Sequence, residues 1–119
     1  MRAKEIVYRK LYNIIMREIK PLFIQYISRY ASNDLRSFIE NNGCTDLEEL
    51  LKRYKPELLP LYYKMINILR DARDYIVWDS YRITDEIVRE MILKGFKIDT
   101  TVYVYIYNVI ENLKNKIYF

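Results

Sequence analysis

The chain has 119 residues, 51% of them hydrophobic, with thirteen tyrosines, one cysteine, two glycines, no histidine and a formal net charge of +4. Without histidine there is no Ser-His-Asp or Cys-His relay, and the side chain that most often moves protons near neutral pH is missing. One thiol (Cys44) with no imidazole cannot supply the three or four ligands of a zinc site, and Gly43 and Gly95 stand too far apart to form a phosphate cradle or a dinucleotide-binding turn.

In chain order, the first predicted element runs from Arg2 to about Tyr30. Its apolar positions Tyr8, Leu11, Tyr12, Ile15, Ile19, Leu22, Phe23, Tyr26 and Tyr30 recur at three- and four-residue steps, the stripe of an amphipathic helix. Pro21 falls inside this phase and predicts either a bend near Lys20 or two helices meeting there, with the same inward face in both cases. On the opposite arc Arg2, Arg9, Lys10, Arg17 and Lys20 fall together with Asn13 among them. Residues 1–30 carry seven basic groups against two acidic ones, so the remaining residues sum to −1 and the positive excess is N-terminal.

Ser32, Asn33 and Asp34 offer capping oxygens to a short helix burying Leu35, Phe38 and Ile39, which the Asn41-Asn42-Gly43 run would close. Thr45 and Glu48 have the spacing of a capping box, opening a helix that buries Leu47, Leu50, Leu51 and Tyr54. Between Pro56 and Pro60 another helix begins. Its stripe of Leu61, Tyr62, Met65, Leu69, Ala72 and Ile76 predicts a helix to about Trp78, with residues 79–82 as a connection. Thr84, followed by Asp85 and Glu86, marks the next start, and Gly95 its end.

The last segment is ambiguous over Val102–Tyr107, where tyrosines alternate with β-branched residues in a pattern that also suits a strand. A helix opened by Thr100 or Thr101 is preferred, because Val102, Tyr103, Ile106, Val109, Ile110, Leu113 and Ile117 form one helical stripe and a lone strand would lack a partner.

Two surfaces stand out as candidate sites. The N-terminal ridge of Arg2, Arg9, Lys10, Asn13, Arg17 and Lys20 has the character of a face that lies along a nucleic-acid backbone, and equally that of a solvated helix face. On the last helix Val104, Tyr105, Tyr107 and Tyr118 point away from the predicted buried stripe. They form either an aromatic partner surface or a second core contact.

Residues 84–113 have the rhythm of a helix-turn-helix and resemble that motif in their short helix, glycine turn and threonine-opened second helix. Glu90 and Lys94 depart from its usual apolar or small positions, and the turn is about one residue longer than the motif's. The second helix has no lysine or arginine between Thr100 and Glu111, leaving Asn108 and Asn112 as candidate adenine readers. Asp71, Asp74, Asp79, Asp85 and Glu86 meet the minimum composition of an oxygen-liganded magnesium site. The spacings Arg70–Asp74, Asp85–Arg89 and Glu90–Lys94 equally suit ion pairs along a helix. Cys44 has no basic neighbour in sequence that would activate a thiolate.

These readings predict one all-α domain over residues 1–119, a bundle of five to six helices whose long N-terminal stretch either bends at Pro21 or divides there into two helices. No apolar run is long enough for a membrane span, so a soluble, cytoplasmic protein is expected. The richness in Ile, Tyr, Lys and Glu is similar to usage in hyperthermophilic archaea and their viruses. The expected function is non-catalytic: self-association or docking on a protein partner, either by itself or within a nucleoprotein complex reached by the N-terminal basic face. A small helix-turn-helix-like DNA-binding regulator built on residues 84–113 is the alternative. No cofactor, metal, membrane or small-molecule substrate is expected.

Overall fold

The computed structural model describes residues 39, 40, 43–75 and 77–119. Four α-helices account for most of them: α1 (Leu47–Tyr54), α2 (Leu59–Asp71), α3 (Ser80–Leu93) and α4 (Thr100–Tyr118), with 3-10 turns at Pro56–Leu58 and Arg73–Tyr75. No strand occurs among the described residues, and the ambiguous Val102–Tyr107 segment is helical. The helix expected over residues 2–30, its bend at Pro21 and most of the short helix after Ser32 lie outside the described residues. Ile39 and Glu40 are helical, and Gly43, at φ +52, donates its backbone N–H to the Ile39 carbonyl at 2.8 Å.

Aspartate starts three of the helices. The carboxylate of Asp46 accepts from the Glu48 N–H at 3.0 Å, that of Asp79 from Arg82 at 3.1 Å and that of Asp99 from Val102 at 2.9 Å. Each satisfies a free backbone donor and places negative charge at the positive end of the helix dipole. The threonines expected in this role are therefore displaced. Thr45 gives way to Asp46, and Thr100 is the first residue of α4 after its cap Asp99. Thr84 is buried inside α3, where its Oγ1 donates back to the Ser80 carbonyl at 2.7 Å. The expected connection over residues 79–82 is instead the cap and first turn of α3. Helix α2 ends at Asp71 rather than near Trp78, because Ala72 (φ −102, ψ 7) leaves the helical conformation and a 3-10 turn follows at Arg73–Tyr75.

Helix α4 is the centre of the fold and contacts α1, α2 and α3. Its buried residues Val102, Tyr105, Ile106, Val109, Ile110, Leu113 and Ile117 meet Leu47, Leu50 and Leu51 of α1, Tyr62, Met65, Ile66 and Leu69 of α2, and Ile83, Ile87 and Met91 of α3 in one apolar cluster. Truncating a fully buried member such as Ile106 to alanine belongs to the class of changes that costs about 2–5 kcal/mol. Leu61, expected inside, is 38% exposed, whereas Ile66 takes a core position.

Helices α3 and α4 are joined by a turn at Gly95. The Phe96 N–H bonds the Met91 carbonyl at 3.1 Å and the Gly95 N–H bonds that of Ile92 at 3.0 Å. With Gly95 at φ +94 this is a Schellman motif, closing α3 where the glycine predicts. The two helices then run antiparallel, side by side. Tyr103 reaches Asp85 and Tyr107 reaches Tyr81, so contact persists to the end of α3 remote from the turn.

Candidate interaction surface

Along the seam of the α3–α4 hairpin three tyrosines and a carboxylate are fixed in place. The Tyr81 and Tyr107 rings lie 4.8 Å apart at 32°, a tilted packing that aromatic quadrupoles favour. One turn nearer the Gly95 loop, the Tyr103 hydroxyl donates to Asp85 Oδ1 at 2.7 Å. That hydrogen bond to the carboxylate, together with burial, pushes the Tyr103 phenol up to about 12. Tyr107 is also pushed up to about 12, first by burial and then by hydrogen bonding with Tyr81 and Glu111. Both phenols therefore stay neutral at ordinary pH and keep a hydroxyl proton for hydrogen bonding.

Beyond this seam α3 turns an apolar face outward. Asp85, Val88, Arg89, Ile92 and Leu93 line a shallow recess of about 300 Å³, with Ile92 55% and Leu93 77% exposed. Val104 on α4 is 48% exposed and Tyr81 63%. Isolated exposed apolar residues are ordinary, but here Tyr81, Ile92, Leu93 and Val104 share one hairpin with the half-buried Val88 and Tyr107. This concentration makes the outer side of the hairpin the candidate contact surface.

The four interface residues named from sequence separate. Val104 and Tyr107 sit one turn apart on the outer side of α4. Tyr105 is buried, and its hydroxyl donates to the Cys44 carbonyl at 2.9 Å. The reason is rotational: with helices packed on several sides, the buried arc of α4 turns by about 20° from the predicted stripe, taking in Tyr105 and moving half-buried Tyr103 to the edge. Tyr118 lies further along α4, its ring edge-on to Trp78 at 6.5 Å. Tyr81, Asp85, Val88, Ile92 and Leu93 were not named as interface residues. Their signal is the row of outward positions on α3 opposite Ile83, Ile87 and Met91.

The basic ridge of Arg2, Arg9, Lys10, Asn13, Arg17 and Lys20 lies outside the described residues. The acidic candidates have separate duties: Asp79 caps α3, Asp85 accepts from Tyr103, and Glu86 approaches Arg89 at 4.0 Å. Among the described residues no group of three His, Cys, Asp or Glu side chains is placed to hold a metal ion. Arg89 thus meets Glu86 rather than the expected Asp85, and Arg70 donates from Nε to the Lys116 carbonyl at 2.9 Å. Asn108 is exposed on α4 and Asn112 is half-buried. No helix among the described residues is long and apolar enough to cross a membrane. No family model matches this chain, and no match to it was found among curated proteins or solved structures.

Proposed function

We propose that this chain is a non-catalytic binding and assembly protein. It self-associates or docks on a protein partner through the outward face of the α3–α4 hairpin, within a nucleoprotein complex reached by its N-terminal cations. The observation that carries the docking role is the exposure of Ile92, Leu93, Val104 and Tyr81 together beside the ordered Tyr81–Tyr107 pair. Tyrosine suits such a surface because it contributes large contact area with few rotatable bonds and retains a hydroxyl for a polar partner or water. The seam rings are held by intramolecular contacts, which lowers the entropy lost on docking.

The test is Tyr81→Ala combined with Tyr107→Ala in the full chain. Light scattering should show a lower oligomeric mass, or partner capture should be lost, while circular dichroism retains the helical signal. Unchanged mass and unchanged capture in a folded variant would remove this face from the function.

A further inference from the structure

Tyr81, Asp85, Arg89 and Leu93 climb α3 at four-residue steps, the row that forms the ridge most often interdigitated between packed helices. All four are exposed, Tyr81 at 63% and Leu93 at 77%, with the Arg89 side chain at 71%. In chain order the row reads apolar, acid, base, apolar. Reversed, it reads apolar, base, acid, apolar, so an antiparallel copy places Asp85 against Arg89 and Tyr81 against Leu93. A parallel copy in register would place Asp85 on Asp85 and Arg89 on Arg89.

We propose that α3 packs antiparallel on α3 of a second copy of this chain, about a two-fold axis at the level of Ile87, with Asp85 of each copy paired to Arg89 of the other. This rests on the reading of the hairpin face as a docking surface and specifies its occupant. A two-fold interface uses the same patch on both subunits and therefore requires self-complementarity, which this row has. Each charge pair then occurs twice. Asp85 accepts from Tyr103 through Oδ1, and its second carboxylate oxygen offers further acceptor sites. The approach of Arg89 to Glu86 is at 4.0 Å and solvent-exposed, so little is lost when the guanidinium turns to a carboxylate across the axis. Tyr81 and Leu93 close the two ends of the row with apolar area, shielding the central pairs from water.

The chemistry of this row favours a second copy over a polyanion, because Asp85 would face phosphate at its centre. It also favours an occupant whose charges alternate in the opposite order, and this same helix supplies that order.

The full-length protein, followed by light scattering over a concentration series, should be a dimer. Asp85→Arg and Arg89→Asp should each raise the dimer dissociation constant about tenfold or more through like-charge opposition. The Asp85→Arg and Arg89→Asp double exchange should return it close to the original value, with circular dichroism confirming that each variant is folded. A second measurement uses Tyr81→Cys with Leu93→Cys in a Cys44→Ser background. On one helix these positions are about 18 Å apart, beyond the roughly 7 Å limit for a disulfide, so a bridge must link two copies. The double-cysteine variant should give a covalent dimer on a non-reducing gel, and neither single-cysteine variant should. A monomeric native chain, or a double exchange no better than its single parents, would overturn the antiparallel pairing. If Ile92→Asp disperses the assembly while the charge exchange restores nothing, the pairing is wrong and the docking face stands. If neither the charge changes nor Ile92→Asp alters the mass, and no partner capture is lost, both are wrong.

Discussion

Asp46 serves two elements at once. Its Oδ1 caps α1 through the Glu48 N–H and receives Lys116 Nζ from the last turn of α4. Lys116 also lies 5.9 Å from the centre of the Tyr62 ring, and its carbonyl accepts from Arg70. A few polar atoms thus join α1, α2 and the end of α4, at the opposite end of α4 from the Gly95 turn. Tyr103 and Asp85 do the corresponding work between α3 and α4, and their bond has a pH signature. The folded-state phenol of Tyr103 is raised to about 12 from an ordinary 10, so the native state holds this proton more tightly than the unfolded chain. The stabilisation is fully present below about pH 10 and fades as pH rises towards about 12. Tyr103→Phe should therefore make denaturant stability fall less steeply across that window. An identical alkaline slope in the variant would show that the Tyr103–Asp85 bond contributes nothing in solution.

At the scale of elements, the Schellman turn at Gly95 sets the hairpin. A Cβ at Gly95 would meet no atom within 4 Å, yet the residue sits at φ +94, where L side chains are strained. Gly95→Ala should therefore cost about 1 kcal/mol or more through backbone conformation alone, read as a lower midpoint in thermal or urea unfolding. A neutral result would mean that the turn relaxes to negative φ. This terminus was legible in the sequence because glycine after a helical stripe has one dominant use. The helix starts were less legible, since Asp and Thr both cap helices and stand next to one another at 45–46 and 99–100. Asp79 was hidden because the polar run after Trp78 has the composition of a loop as well as of a capped first turn. The apolar stripe of α4 was readable to within about 20° of rotation, and that remainder decided which tyrosines reached the surface. Tyr105 entered the core and Tyr103 met Asp85, because neighbouring helices, and not the local pattern, set the width of a buried arc. The outward row on α3 was written in the sequence as alternating charge between apolar ends. Its meaning depended on knowing which side of α3 the core would take.

For the whole molecule, charge is divided unequally along the chain. Residues 1–30 carry an excess of five positive charges while the remainder sums to −1, so a polyanion would meet the N-terminal portion on electrostatic grounds. The proposed self-pairing row on α3 carries balanced charge and would leave that role to the N-terminal cations. The two activities are then separable by substitution. Arg9→Glu with Arg17→Glu moves the formal net charge from +4 to zero and leaves α3 untouched. If both arginines neutralise phosphates, the plot of log binding constant against log salt for duplex DNA should become shallower by about two, since each such contact contributes roughly 0.9 to the slope. The dimer mass should stay as it was, because Asp85 and Arg89 are intact. An unchanged salt slope would take the N-terminal ridge out of nucleic-acid binding. A loss of dimer mass in the same variant would show that assembly, too, depends on the N-terminal cations, and that the two surfaces act as one.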